Sequence, residues 1–198
     1  MVRTASTMLP LGTAAPEFSL LDLNGQTVSL KQFKVKKALV VVFMCNHCPY
    51  VKHIAPELVR LVADYSYKGV AFVGINSNDG EAYPDDGPEK MKEEAKLRGY
   101  LFPYLHDADQ SVAKAYHAAC TPDIFVFDDS HRLVYRGQLD DSRPKSDRPL
   151  NGKDLRNALG SLLAGKPINA TQKPSIGCNI KWRPNMEPEY FDAVGIQS

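Results

Sequence analysis

The chain of 198 residues is 43% hydrophobic and 24% charged, a composition that can bury one sizeable core. Its 24 lysines and arginines nearly cancel its 23 acidic residues, which excludes a strong overall field for nucleic acid or an anionic membrane. The longest apolar run, residues 38–45, is too short to span a bilayer, and residues 1–11 hold no apolar segment of signal-peptide length. We therefore expect one domain in the cytoplasm, where four cysteines indicate catalysis or metal binding more than structural disulfides.

The first half of the chain is typical of a hairpin followed by a strand, a helix and a strand. Two short strands flank Asn24-Gly25, a dipeptide that favours a tight hairpin turn. A continuously apolar, β-branched run then predicts a buried central strand, and apolar residues at three- and four-residue spacing predict a helix that Pro56 should bend. The predicted elements are strands at residues 18–22, 27–30, 39–43 and 70–75, with a helix from Cys48 to about Gly69.

The second half predicts two helices, a second hairpin and a final helix. These elements are helices at residues 88–98, 109–118 and 153–164 and strands at residues 123–128 and 133–137. The order of elements specifies an α/β fold in three layers, with a mixed central β-sheet flanked by helices. Residues 166–198 contain four prolines and no sustained period, so we expect a C-terminal extension packed on or trailing from the domain of residues 1–165.

The sequence Cys45-Asn46-His47-Cys48 lies where the predicted central strand ends and the helix begins. Unpaired amides at a helix start favour a thiolate, the form that attacks disulfides. We expect Cys45 to be the exposed, ionised nucleophile and Cys48 the less accessible thiol that resolves a mixed disulfide. A protonated His47 between them would favour the thiolate further.

Two cysteines at this spacing are also half of a zinc site, and they can be inert core thiols. Thr121-Pro122, directly before the strand at residues 123–128, favours the redox interpretation. A cis Pro122 facing the cysteine pair would expose the backbone of Thr121 to a partner's extended segment and would deny a metal ion access to the sulfurs. We therefore predict no metal and assign Thr121, Pro122, Asn46 and His47 to substrate binding.

Several segments together resemble the thioredoxin-like superfamily, in particular the redoxin branch related to alkyl hydroperoxide reductase and thiol-specific antioxidant proteins. The segments are Gly12-Thr13-Ala14-Ala15-Pro16-Glu17-Phe18, Asp22-Leu23-Asn24-Gly25, Val41-Val42-Phe43, Cys45-Asn46-His47-Cys48-Pro49, Thr121-Pro122 and Ile124-Phe125-Val126-Phe127-Asp128. The resemblance implies a thioredoxin-like three-layer sandwich in which Cys45 attacks, Cys48 resolves and Pro122 is cis.

The chain departs from this family pattern at three places. Met44 stands where many thioredoxins carry tryptophan. The strand at residues 39–43 lacks the buried acid that assists deprotonation of the second thiol in thioredoxin, so Cys48 must lose its proton by another route. Val42 stands where peroxiredoxins carry a peroxide-binding threonine.

Two further cysteines lie outside the pair. Cys120, two residues before Pro122, and Cys178, in the only apolar island of the extension, are predicted as buried structural residues or as auxiliary thiols. The extension could return Cys178 to the pair as an extra resolving thiol. His53, one turn beyond Cys48, could instead complete a soft-metal site with Cys45, Cys48 and Cys178.

The sequence therefore predicts a thiol-disulfide oxidoreductase without an organic cofactor. Its partners are protein or small-molecule disulfides together with a thiol or thioredoxin-type electron donor, and they include neither nucleic acid nor membrane. A peroxiredoxin-like antioxidant peroxidase and a soft-metal (copper) carrier are the alternatives.

Overall fold

The computed structural model describes residues 2–196 and contains ten strands and four α-helices within that range. The strands are β1 (Arg3–Ala5), β2 (Ser19–Asp22), β3 (Thr27–Ser29), β4 (Ala38–Phe43), β5 (Val70–Asn76), β6 (Tyr104–His106), β7 (Cys120–Thr121), β8 (Asp123–Asp128), β9 (Leu133–Gly137) and β10 (Ile176–Asn179). The helices are α1 (Pro49–Tyr65), α2 (Pro88–Arg98), α3 (Ser111–Ala115) and α4 (Lys153–Leu163). None of the described helices combines the length and the apolar character that crossing a membrane requires.

A seven-stranded mixed sheet lies at the centre of the fold. Its strand order is β3-β2-β6-β5-β4-β8-β9, in which β4 and β5 run parallel and β4 and β8 run antiparallel. The predicted α/β fold class and the thioredoxin-like sandwich are confirmed. The predicted hairpin forms between β2 and β3, with Gly25 at φ 78° in the turn.

Strand β4 supplies both faces of the core because all six of its residues are buried. Val40 and Val42 face one apolar cluster, which includes side chains of α1 and α4. Leu39, Val41 and Phe43 face the opposite cluster, which includes side chains of α3. This two-sided burial explains the continuously apolar sequence of the strand, and the cysteine pair follows directly after the strand ends.

Helix α1 begins directly after Cys48, which caps it in an extended conformation, and Pro49 takes the first helical position. The missing amide of Pro49 costs nothing there, since the first helical amides have no partner within the helix. The helix continues through Pro56 without interruption to Tyr65. A short 3-10 turn follows and ends at Gly69, whose φ of 91° requires a residue without a Cβ.

The extension contributes a strand that the sequence did not predict. Strand β10 lies between β1 and β7 in a separate three-stranded antiparallel sheet. The extension therefore packs on the domain through backbone pairing. The predicted boundary after residue 165 stays a prediction, and residues 1, 197 and 198 of the two predicted regions lie outside the described residues.

A carboxyl group is buried at the start of β8. Asp123 is fully buried, and this burial raises the pKa of its carboxyl group from 3.8 to about 7. Between about pH 4 and pH 7 the unfolded chain ionises this group while the folded chain keeps it protonated, so stability falls as the pH rises through this window. At about 1.4 kcal/mol for each pKa unit, the loss is on the order of 4 kcal/mol.

We expect Asp123→Asn to remove this loss because an amide does not ionise. Urea unfolding at several pH values should show the variant gaining stability relative to the wild type as the pH rises from about 4 to about 7. A difference in the free energy of unfolding that does not change with pH would contradict the assignment.

Candidate active site

Cys45 and Cys48 lie at the junction of β4 and α1, as the sequence predicts, but the expected exposure of Cys45 is wrong. The exposed fractions of Cys45 and Cys48 are 1% and 0%. Neither sulfur is open to a large partner in this arrangement. The strand-to-helix junction alone would leave Cys45 at the surface, and it is the packing of other segments around the junction that buries it.

The peptide bond between Thr121 and Pro122 is cis, and it faces the cysteine pair. The Cys48 thiol donates a hydrogen bond to the backbone oxygen of Thr121 at 3.1 Å. The Cys45 sulfur lies 3.4 Å from the Thr121 hydroxyl. The residue before the proline therefore contacts both sulfurs, one through its backbone and one through its side chain.

The backbone of Thr121 is not open to a partner, contrary to the expectation from the sequence. Strand β10 pairs with it in antiparallel register, with Cys178 directly opposite Thr121. Gly177 makes this approach feasible, since a Cβ atom there would lie 2.0 Å from the Thr121 carbonyl oxygen. The extension of the chain thus occupies the position that we had assigned to a substrate segment.

Three sulfurs share this site, with Cys48 in the middle. The thiol groups of Cys178 and Cys45 both hydrogen-bond to the Cys48 sulfur, and these two contacts lower the pKa of Cys48. The backbone amide of Val51, in the first turn of α1, lowers it further. Conversely, the hydrogen bond to Cys48 raises the pKa of Cys178.

The contacts of the site therefore lower the pKa of Cys48 and raise that of Cys45, whereas we had expected the lowered pKa at Cys45. Burial raises the pKa of Cys45, and the hydrogen bond with Cys48 and the charge of Asp86 raise it further. The amide of Val51 at the helix start lowers the pKa of Cys48, the residue at the helix cap, and not that of Cys45.

Asn46 and His47 are held by a carboxylate that the sequence analysis missed. Asp86 accepts a hydrogen bond from the backbone amide of Asn46 at 2.7 Å, and its other oxygen lies 2.5 Å from Nδ1 of His47. Burial alone would raise the pKa of Asp86, but the hydrogen bonds of His47 and Asn78 lower it overall. The His47 ring also stacks on Tyr83, with 5.4 Å between the ring centroids.

The Cys45 sulfur, a ring nitrogen of His47 and a carboxylate oxygen of Asp86 lie within 4.8 Å of one another, a spacing at which a metal ion could bind. Each of these residues already has a protein partner, since Cys45 contacts Thr121 and His47 contacts Asp86. The absence of metal thus stays a prediction that the hydrogen bonding favours.

The remaining candidates, His53 and Cys120, have hydrogen-bond partners outside the cysteine pair. His53 contacts the Ser142 hydroxyl at 2.9 Å, so the soft-metal site predicted from it loses its histidine. The fully buried Cys120 sulfur lies against the backbone oxygens of Pro122 and Ser175, at 3.6 and 3.9 Å. This contact fits a structural thiol, and an auxiliary role for Cys120 stays a prediction.

Two polar residues around Asn46 lacked a usable sequence signal. Tyr104 donates a hydrogen bond from its hydroxyl to the Asn46 side-chain oxygen at 3.1 Å. Asp86 lies in the polar, turn-rich segment between the strand predicted at residues 70–75 and the helix predicted at residues 88–98, where no motif marks it. Only the pairing of β5 with β6 and the loop between β5 and α2 bring these residues to the cysteine pair.

We expect Asp86→Asn to lower the pKa of Cys45, since the variant removes a carboxylate charge that raises it. The midpoint of the pH profile of Cys45 alkylation, followed by mass spectrometry, should move down by about one pH unit. Asp85→Asn is the matched control, because it removes the same charge from an exposed neighbour whose backbone oxygen contacts Asn46. An unchanged or higher midpoint in Asp86→Asn would contradict the electrostatic role.

Comparison with known proteins places these features in a family. The family model described as Redoxin matches residues 10–153. A solved structure of an uncharacterized conserved protein from Geobacillus kaustophilus is 55% identical, covers 93% of this chain and 98% of its own, and superposes with a TM-score of 0.92.

Two curated relatives have names that state a chemistry. "Putative peroxiredoxin MT2597" of Mycobacterium tuberculosis (strain CDC 1551 / Oshkosh) is 30% identical over 58% of this chain and 68% of its own length. "Thiol-disulfide oxidoreductase ResA" of Geobacillus kaustophilus (strain HTA426) is 27% identical over 63% of this chain and 67% of its own length. The family match and the thioredoxin-like architecture confirm the resemblance found in the sequence, and the chain belongs to the redoxin family.

Proposed function

We propose that this redox enzyme is a thiol-disulfide oxidoreductase that exchanges electrons through Cys45 and Cys48. The observation that carries the proposal is the contact of the two sulfurs at the start of α1, beside the cis Pro122, with the Thr121 hydroxyl against Cys45 and the Thr121 backbone oxygen against Cys48. The hydrogen bonds of Cys178 and Cys45 lower the pKa of Cys48, and an inert pair of core thiols would give no reason for such an arrangement.

The first step is a proton transfer within the pair. Cys45 and Cys48 hydrogen-bond to each other, so once Cys48 has lost its proton, transfer of the Cys45 proton to Cys48 generates a Cys45 thiolate. The Thr121 hydroxyl stabilises the thiolate on Cys45. Cys45 then attacks a substrate disulfide, forms a mixed disulfide and releases one substrate thiolate.

In the second step Cys48 displaces the substrate from Cys45. Its sulfur must lose the proton again, and the contacts with Cys178 and the Val51 amide favour its thiolate form. These contacts replace the buried acid that β4 lacks. The products are the Cys45–Cys48 disulfide and a second substrate thiolate, so two electrons have passed to the substrate.

His47 is the group that can exchange a proton with the departing substrate thiolate. Its Nδ1 is bound by Asp86, while its Nε2 is buried with no hydrogen-bond partner among the described residues. The contact with Asp86 therefore orients the His47 ring, one nitrogen of which lies within 4.8 Å of the Cys45 sulfur.

Reduction of insulin by dithiothreitol tests the assignment of the two thiols. We expect Cys45→Ser to reduce turnover by about a hundredfold or more, since it removes the attacking sulfur. Cys48→Ser should also reduce turnover but should accumulate a mixed disulfide at Cys45, detectable by mass. Cys120→Ser is the matched control and should keep wild-type turnover. Full activity of either Cys45→Ser or Cys48→Ser would refute the proposal.

The burial of both sulfurs favours a second candidate, a peroxidase. A hydroperoxide is small enough to reach a site that a folded protein does not enter, and the Thr121 hydroxyl beside Cys45 can donate a hydrogen bond to it. Cys45 would form a sulfenic acid and release an alcohol, after which Cys48 would form the disulfide and release water. The peroxiredoxin named among the relatives is consistent with this chemistry.

Peroxide consumption with dithiothreitol as reductant distinguishes the two activities. As a peroxidase, the protein should consume a hydroperoxide in a Cys45-dependent manner and faster than it reduces insulin. Dithiol exchange alone predicts the reverse order, and bound metal after purification would instead favour the carrier alternative.

The electron donor in this proposal is a small thiol or a thioredoxin-type dithiol, and the site of action is the cytoplasm. The electron donor follows from the exchange chemistry, since an external thiol or dithiol must reduce the Cys45–Cys48 disulfide again. The site of action rests on the sequence, and fractionation of cells tests it.

A further inference from the structure

Strand β10 holds Cys178 in a fixed position beside the active pair. The strand is central in its three-stranded sheet, with Cys178 opposite Arg3 on one side and opposite Thr121 on the other. Beyond it, the Ile180 amide donates a hydrogen bond to Ala119 and the Lys181 carbonyl accepts one from Asp79. Pairing on both edges makes this segment part of the fold rather than a loose tail.

The register brings the Cys178 sulfur to Cys48. The carbonyl oxygen of Thr121 accepts the Cys48 thiol at 3.1 Å, and Cys178 is the residue paired with Thr121 on the adjacent strand. Cys178 hydrogen-bonds to Cys48, as Cys45 does from its own side. Cys48 is thus the shared neighbour of two other thiols, the arrangement that a thiol-disulfide exchange requires.

We propose that Cys178 is a third redox-active thiol that takes over the disulfide from the active pair by forming a bond with Cys48. This inference rests on the proposed function, because it begins from the Cys45–Cys48 disulfide that substrate reduction produces. It assigns a chemical step to an extension that the family match at residues 10–153 does not include.

The step is an internal exchange. The Cys178 sulfur attacks the Cys48 sulfur, the Cys45–Cys48 bond breaks, and the Cys48–Cys178 bond forms. The departing Cys45 sulfur takes up the proton that Cys178 gives up, so the protein neither gains nor loses electrons. Cys45 is then a free thiol again, and the disulfide now joins Cys48 to Cys178 on β10. An external dithiol reduces the Cys48–Cys178 bond and is itself oxidised to a disulfide.

This exchange also explains why strand β10, rather than a substrate segment, pairs with the backbone of Thr121. Cys178 lies on a strand that pairs with Thr121, the residue before the cis proline. We had expected the extended segment of a partner at this position. The chain supplies this segment itself. The first disulfide partner of the pair after substrate is therefore internal, and an outside reductant acts after it.

Peptide mapping can identify each disulfide, because trypsin places the cysteines on distinct peptides. Cys45 and Cys48 share residues 38–52, Cys178 lies in residues 157–181, and Cys120 lies in residues 115–132. The full-length protein is equilibrated in glutathione redox buffers, quenched with acid, alkylated and digested. A Cys48–Cys178 bond joins two peptides, while a Cys45–Cys48 bond leaves them separate.

We expect the oxidised wild type to contain both bonds, with Cys45 alkylated wherever residues 38–52 are joined to residues 157–181. Cys45→Ser should form the cross-peptide bond in most molecules, and the double variant Cys45→Ser/Cys178→Ser should lose it completely. Cys120→Ser, the matched control, should keep both bonds. Because Cys45→Ser leaves β10 unchanged, the result does not depend on whether a Cys178 variant folds.

The outcomes separate the two proposals. A wild type that forms only the Cys45–Cys48 bond in every buffer, with Cys178 fully alkylated, overturns the role of Cys178 and leaves the proposed function intact. A wild type that forms neither bond overturns both. A cross-peptide bond that includes Cys120 instead of Cys178 also overturns this inference.

Discussion

The placement of the Cys48 sulfur at the start of α1 is the constraint on which the rest of the site depends. This one atom lies at a helix cap, against the backbone oxygen of Thr121, and between the thiols of Cys45 and Cys178. When Cys48 ionises, it gives up the hydrogen bond that its thiol donates to Thr121, and the hydrogen bonds from two thiols and from the amide of Val51 stabilise the thiolate. Since the site is buried, a charge without these partners would be strongly unfavourable.

These pKa shifts reverse the usual order in which the two cysteines of such a pair ionise. A helix start is expected to ionise the first thiol of such a pair, yet here burial and the carboxylate of Asp86 oppose ionisation of Cys45. The resolving thiol therefore ionises more readily than the attacking thiol, and one proton must move from Cys45 to Cys48 before attack. Thr121 participates in both states, through its backbone oxygen for Cys48 and its hydroxyl for Cys45.

Two segments remote in sequence complete the site. The loop between β5 and α2 carries Asp86, which holds Asn46 and His47, and β10 carries Cys178 along the edge of β7. Both segments also contribute to the burial that closes the site to large partners. The same packing therefore sets both the chemistry of the thiols and the access of substrate. The extension that brings Cys178 to the pair also limits the size of the substrate that can reach it.

The sequence by itself determined the central strand, the helix that begins at the cysteine pair and the fold class, while the family resemblance implied the cis Pro122. These depend on local patterns such as continuous apolar residues, the proline after Cys48 and the proline before β8. Short elements escaped prediction, because two to four residues carry too little periodicity; they include β1, β6, β7 and β10.

Only the tertiary structure decided the state of the thiols. Exposure of Cys45, the order in which the two thiols ionise and the approach of Cys178 depend on which remote segments pack around the pair, and no residue pattern near Cys45 encodes them. The partner of Thr121 likewise follows from the strand register of β10, where Gly177 allows a close approach that no side chain would permit. Local sequence selects the reactive groups, while long-range packing sets their ionisation and their neighbours.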